Sequence, residues 1–179
     1  MVITYLTVDT PIGSIWLAAT SRGLFRVALG CVDVEALCSF FKRESRIDFR
    51  RGGVTVERAA QELEEYMAGK RKRFTCQYDL RGFPQFSKRV WKVTRKIPFG
   101  EVRTYSWVAN HVGDPYALRA VGRALSLNPL PIFIPCHRVV GESGWIGGYS
   151  GGLSVKKWLL YHESGQGDLW TGGKLENEE

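Results

Sequence analysis

Cys136 and His137 stand side by side near the end of Asn128-Pro-Leu-Pro-Ile-Phe-Ile-Pro-Cys-His-Arg-Val-Val140, and no other cysteine of the chain has a histidine neighbour. A thiol reacts as its thiolate, and a partly exposed cysteine beside an imidazole has its pKa lowered from ~8.5 toward neutrality. The pair suits covalent chemistry in which sulfur attacks and the imidazole takes the proton. Against it stands the plain reading of a cysteine among Ile, Phe and Val as a small buried hydrophobe. Pro129, Pro131 and Pro135 fix their own φ and push each preceding residue toward extended conformations, so the segment is expected as a stiff, strand-like arm that holds the thiol still.

Other candidates are few. His111 and His162 complete the histidines; the first falls inside an expected helix and the second on the apolar stripe of another, so both read as structural. Cys31, Cys38, Cys76 and Cys136 lack C-x-x-C spacing, which fits neither a zinc finger nor a secreted disulfide framework and points to a reducing compartment. Cys38 repeats with Val34, Leu37 and Phe41 behind an Asp33 N-cap, as a core position of a helix running to about Arg43. If Cys31 were helical too, the two thiols would lie ~10 Å apart along the axis, too far for a disulfide.

The elements that must position Cys136 come from an ordinary globular composition: 179 residues, 44% apolar and 24% charged. No apolar run approaches membrane-spanning length and no signal core follows Met1, so an intracellular protein is expected, cytoplasmic or, in a eukaryote, nuclear, with no membrane partner. The formal net charge is +7. Between Gln85 and Ser126 eight basic residues face only Glu101 and Asp114, a local excess of six positive charges, and such a stripe suits a phosphate backbone.

In chain order, residues 2–8, 14–20 and 24–29 are rich in β-branched and aromatic residues between turn signals and read as a three-stranded meander. Residues 44–53 show no period and read as a loop. Val56, Ala59, Ala60, Leu63 and Met67 predict an amphipathic helix with Thr55 as cap and Gly69 at its end, and Lys70-Arg-Lys-Arg73 reads as its solvated exit. Arg81-Gly-Phe-Pro84 is the expected linker, giving an N-terminal α/β domain over 1–84, a second domain over 85–165 and a loosely ordered tail over 166–179.

The second half turns helical and basic. Phe86, Val90, Val93 and Ile97 predict a helix that buries this stripe and stops at Pro98-Phe-Gly100. Thr104 caps a short helix ending at Gly113, and Asp114-Pro115 is expected as N-cap and N1 of another through Leu125. So close a pair predicts a helix-turn-helix whose second helix enters a DNA groove. On it Arg119 and Arg123 share a face, with Leu118, Val121 and Leu125 turned away and Ala117, Ala120, Gly122 and Ala124 keeping the surface low. Six glycines in residues 141–152 suit a hairpin and close-fitting loop. Ser154 is the expected cap of a last helix with Val155, Trp158, Leu159 and His162 on its apolar stripe and Lys156, Leu160 and Glu163 on a neighbouring face. An anion at Glu163, in the last turn, opposes the helix dipole and suggests another use.

From Phe86 to Glu163 the chain resembles the O6-methylguanine-DNA methyltransferases (alkylguanine-DNA alkyltransferases) at Phe99-Gly-Glu-Val, Arg119-Ala-Val-Gly, Asn128-Pro, Pro135-Cys-His-Arg-Val-Val, Gly148-Tyr-Ser-Gly-Gly-Leu and the Lys-Lys-Trp-Leu-Leu helix. The resemblance implies an α+β protein, with a small RNase H-like sheet-plus-helix domain followed by a mostly helical, winged-helix-like domain containing the helix-turn-helix. It implies irreversible, single-turnover transfer of the alkyl group from O6-alkylguanine, and from O4-alkylthymine, to Cys136 after base flipping. Double-stranded DNA carrying alkylated bases is the implied partner, the protein acting as a monomer without a cofactor. Some relatives hold a structural zinc in the first domain; no histidine precedes His111, so no metal site is expected here.

By the same resemblance His137 is the base reaching the thiol through a water, Glu163 orients its imidazole and Asn128 braces the turn bearing the cysteine. Tyr105 rotates the target phosphodiester and Arg119 fills the gap left in the duplex, while Arg123 is read as a phosphate contact. Val139, Tyr149 and Ser150 form the guanine pocket, with Lys156 beside the tyrosine. Two rival readings are a lesion-sensing DNA-binding protein, which would lack the cysteine, and a Cys-His-Glu hydrolase, which would need neither the helix pair nor the basic segment.

Overall fold

The computed structural model describes residues 1–30, 33, 39 and 47–165. The body of the helix expected after Asp33, with Cys38, as well as Cys31 and the tail 166–179, lies outside them. The chain divides into two compact units, Met1–Gly82 with Pro129–Phe133, and Phe83–Asn128 with Ile134–Glu179.

In the first unit β1 (Val2–Thr10), β2 (Gly13–Thr20) and β3 (Gly23–Leu29) form the expected antiparallel meander, with Leu6 opposite Leu17 and Leu17 opposite Val27. A fourth strand, β4 (Asp48–Arg51), pairs in parallel with β1 and gives the order β3-β2-β1-β4. The sequence reading had a loop there. Phe49 is the only apolar residue in this four-residue edge strand, so alternation leaves no readable period, and its charged neighbours suit an exposed edge. Ile3, Trp16 and Ala18 make one buried face with Tyr5, Phe25 and Phe49, while Ile15, Leu17 and Ala19 are buried on the alternate one. Burial on both faces explains why β2 reads as a continuous apolar run.

Helix α1 (Val54–Met67) lies across β1, β2 and β3 and buries Val56, Ala59, Ala60 and Leu63, as its period predicts, whereas Met67 is only half-buried and Tyr66 is buried beside it. Its N-cap is Gly53 rather than Thr55. The Glu57 carboxylate reaches back to accept from the Gly53 amide at 3.0 Å, so a side chain inside the helix does the capping. Glu62 of α1 is also buried, and it accepts from the Thr75 amide and hydroxyl and from the Cys76 amide.

Residues 129–133 do not form the extended arm that their prolines suggest. The chain turns at Ile132, whose φ of 75° is the sole left-handed value outside glycine among the described residues. Neither Ile132 nor Phe133 precedes a proline, so neither is restricted to extended conformations by the residue after it. A β-branched residue in this region costs ~1–3 kcal/mol, and the full burial of Ile132 and the tilted packing of Phe133 against Phe74, ring centroids 4.3 Å apart, hold it there.

In the second unit α2 (Gln85–Thr94), α3 (Tyr105–Val112) and α4 (Leu118–Ser126) pack on one another. Trp91 is buried and its indole N–H donates to the Ala124 carbonyl at 2.8 Å, tying α2 to α4. Thr104 caps α3 through its hydroxyl, which accepts from the Trp107 amide at 3.1 Å, and Gly113 ends the helix at φ 88°. Asp114 does not cap α4. Its carboxylate accepts from the Tyr116 amide at 3.2 Å and its carbonyl from Ala117, which closes a turn so that α4 begins only at Leu118. A short parallel pair, β5 (Arg103–Thr104) with β6 (Val139–Val140), joins the start of α3 to the residues just past Cys136. Helix α5 (Leu153–Ser164) completes the unit, with Gly152 as N-cap in place of Ser154. None of the described helices is long and apolar enough to cross a membrane.

Candidate active site

Cys136, His137 and Arg138 form a single turn of 3-10 helix between Pro135 and β6. All three are buried, His137 completely and Cys136 with 7% of its surface exposed. The Asn128 side-chain N–H donates to the Ile134 carbonyl at 2.9 Å and to Cys136 Sγ at 3.1 Å, so one amide closes the chain reversal and touches the thiol. Burial also reverses an expectation. The thiol is not partly exposed, and desolvation pushes its pKa up, outweighing the Asn128 hydrogen bond and the positive charge of Lys156, which favour the thiolate.

His137 and Glu163 meet at the centre, with Nε2 2.7 Å from Oε1. Burial would raise the Glu163 carboxyl, but His137 and Arg138 beside it hold it well below the usual carboxylate range. An ionised Glu163 requires the proton on Nε2, leaving Nδ1 with the lone pair; burial, with Arg138 and Lys156 nearby, lowers the His137 pKa and keeps the ring neutral at rest. Nδ1 is buried and meets no hydrogen-bond partner, which suits a nitrogen reserved for an incoming proton.

Helix α5 supplies Lys156 and Glu163 to the site from its inward face. Its buried residues are Lys156, Leu159, Leu160 and Glu163, so the face expected to flank the apolar stripe is the one that turns inward. Val155, Trp158 and His162 are only half-buried, with His162 stacked on Trp158. Lys156 Nζ donates to the Val139 carbonyl at 2.8 Å and to the Ile146 carbonyl, joining β6 to the glycine-rich segment. Its burial lowers the amine to about 8.

Val139 is fully buried, Tyr149 has a buried hydroxyl without a partner, and Ser150 is exposed. The Tyr149 ring lies edge-on to His137, and its burial raises the phenol well above its ordinary range. Tyr105 opens α3 half-buried. A Cβ on Gly147, at φ 72°, would come within 2.8 Å of the Tyr105 hydroxyl, so glycine there lets the loop lie against this ring.

Arg119 and Arg123 are exposed on α4, one turn apart. Leu118 is not turned away as expected; it is 46% exposed beside Arg119, and Tyr116 in the preceding turn is 96% exposed. His111 lies exposed against Trp107, stacked at 3.8 Å with Nδ1 on the Trp107 carbonyl, away from the Cys136 cluster.

Sequence reasoning gave Arg138 no role. Its guanidinium donates to both Glu163 oxygens, at 2.8 and 2.9 Å, and to the Ile97 carbonyl at 2.7 Å. The available signal was a cation inside the apolar run Ile132–Val140, where nothing but pairing allows burial.

Known proteins carry the same arrangement of sequence. Residues 3–80 match the family described as 6-O-methylguanine DNA methyltransferase, ribonuclease-like domain, and residues 85–165 match 6-O-methylguanine DNA methyltransferase, DNA binding domain. The methylated-DNA–protein-cysteine methyltransferase of Methanosarcina acetivorans is 38% identical over 160 residues, 87% of this chain and 95% of that protein. The crystal structure of Mycobacterium tuberculosis O6-methylguanine methyltransferase is similar with a TM-score of 0.78 and 36% identity, over 91% of this chain and 93% of that one. That of Mycobacterium tuberculosis OGT in complex with DNA has a TM-score of 0.76 and 36% identity, over 92% and 94%. Both halves match in order over nearly all of the described residues, and the chain therefore belongs to the 6-O-methylguanine DNA methyltransferase family.

Proposed function

We propose that this chain repairs alkylated DNA by direct reversal, moving the alkyl group of O6-alkylguanine, and of O4-alkylthymine, onto Cys136. The observation that carries the reading is a buried sulfur held 3.1 Å from the Asn128 amide and next in sequence to an imidazole locked onto Glu163. In the step, the bond from alkyl carbon to guanine oxygen breaks and a carbon–sulfur bond forms. The thiol proton passes to His137 Nδ1, directly or through a water, and ends on the released guanine. A thiol whose resting pKa is raised needs that base at the moment of attack. The amide N–H of Asn128 and the charge of Lys156 favour the thiolate as it forms. Atoms and charge balance between thiol and lesion, so the reaction uses no cofactor, and the thioether offers no return path. One chain is consumed per lesion.

The alkylated oxygen lies within the base stack, so the nucleotide must be extruded at a cost of a few kcal/mol. Helices α3 and α4 act as a helix-turn-helix, with α4 toward the groove, Arg119 entering the gap and Tyr105 against the rotated phosphodiester. Val139, Tyr149 and Ser150 receive the base. Exposure of Arg119 and the position of Tyr105 against Gly147 support these roles. Incubation with a methylguanine oligonucleotide, followed by peptide mass spectrometry, is expected to place one methyl group on Cys136. Cys136→Ala should bind the duplex with unchanged affinity and take up none. Binding without modification of Cys136 would instead mark a lesion sensor, and transfer by the alanine variant would overturn the assignment.

A further inference from the structure

Arg138 is buried in the 3-10 turn, and the transfer step described above gives it no task. Its bonds account for most of the surroundings of Glu163. Oε1 accepts from His137 Nε2 and Arg138 Nη2, and Oε2 from Arg138 Nε and the Gly100 amide at 3.3 Å. Each oxygen thus has two donors, which saturates a carboxylate. The two-point fork of the guanidinium fixes the plane of the carboxylate, and the plane decides which oxygen faces the imidazole. The third bond, to the Ile97 carbonyl, anchors the guanidinium just past α2.

We propose that Arg138 is a positioning residue for the reaction: it holds Glu163 as a donor-saturated carboxylate aimed at His137, so that the imidazole keeps Nδ1 as its accepting nitrogen. Four donors stabilise the charged carboxylate and lower its basicity, so the proton stays on His137 until it leaves for the guanine. Arg138 also offsets the charge of Glu163. Facing His137 are Glu163 and Lys156 from α5, Arg138 within the turn, Cys136 before it and Tyr149 from the glycine-rich segment, while the corner after α2 brings the Ile97 carbonyl and Gly100 amide to the cluster. Loss of the guanidinium charge alone leaves Glu163 to act undiluted on the ring and makes it more basic.

The inference rests on the alkyl-transfer reading, and the test separates the two. Single-turnover transfer from a methylguanine duplex to Cys136 is followed across pH, with duplex affinity, for the native chain, Arg138→Lys, Arg138→Met, Glu163→Gln and the double variant Arg138→Met/Glu163→Gln. Arg138→Lys, which keeps the charge but loses the fork, is expected to slow transfer by up to ~100-fold through misplacement of the imidazole, with affinity unchanged. Arg138→Met should move the acid limb of its pH–rate profile to higher pH, because a more basic His137 is protonated sooner as pH falls. If burying the Glu163 charge without its guanidinium prevents Arg138→Met from folding, the double variant, which removes that charge, still reports: it should be no slower than Glu163→Gln alone, since both changes disable one unit. An Arg138→Lys variant with native rate and pH profile, or a double variant in which the two losses multiply, overturns the proposal while leaving alkyl transfer intact. A native chain that leaves Cys136 unmodified overturns both.

Discussion

The side-chain amide of Asn128 bridges Cys136 Sγ at 3.1 Å and the Ile134 carbonyl at 2.9 Å. A single residue therefore both shapes the turn that carries Cys136 and donates to its sulfur. Asn128→Ala is expected to lower stability by ~0.5–1.5 kcal/mol, because the buried Ile134 carbonyl keeps the Cys136 amide but loses the Asn128 donor. Alkyl transfer should slow further than the stability loss explains, since the thiolate loses a hydrogen bond. Thermal melts beside single-turnover rates measure the two effects; a destabilised variant with native rate would confine Asn128 to the fold.

Arg119→Ala is expected to slow transfer from duplex DNA strongly and to leave reaction with free O6-benzylguanine almost unchanged, because a free base needs no extrusion. Each ~1.4 kcal/mol lost from the extruded state slows the duplex reaction ~10-fold. The deficit should shrink when the lesion sits on a single strand. Equal losses on both substrates would show that Arg119 supports the pocket or the fold.

Arg123→Ala should behave differently. As a phosphate contact it is expected to weaken binding to every duplex alike and to flatten the dependence of log affinity on log salt by about one unit. Titrations at several salt concentrations check this, and an unchanged slope removes Arg123 from the interface.

Cys76 gives a stability prediction in alkali. Burial, with Glu62 beside it, pushes its thiol up to about 12. The unfolded thiol ionises near ~8.5, so the folded chain binds more protons between that pH and 12. Its contribution is complete below ~8.5 and is lost as pH rises toward 12. Denaturant melts of Cys76→Ala and the native chain should converge in relative stability across this window, the native chain losing more; parallel curves would refute the shift.

Much of this architecture could be read from sequence because local chemistry decides it. Thr104 and Gly113 bound α3 as their side chain and φ require, and Phe86, Val90 and Val93 mark α2, which ends at Thr94 so that Ile97, the last of the expected stripe, is buried just past it. Where tertiary contacts decide, local signals mislead. Asp114 spends its carboxylate on a turn, and β4 exists because β1 offers it an edge. The inward face of α5 carries Lys156 and Glu163, whose burial no hydropathy pattern anticipates; their partners are carbonyls, His137 and Arg138, distant in sequence. Cys136 was conspicuous from its neighbours, but its depth, and so the direction of its pKa, depends on how the turn packs.

Lys156 also provides a built-in clock. With its amine lowered to about 8, a large share is unprotonated in mildly alkaline buffer, whereas an ordinary lysine near ~10.4 is almost wholly ammonium. By acidity alone it is a favoured target of an acylating reagent, yet Nζ is bound to the Val139 and Ile146 carbonyls and buried. Acylation must wait until the glycine-rich segment lifts from β6. The labelling rate of this one amine, compared with that of exposed lysines, therefore counts how often the wall beside Cys136 opens.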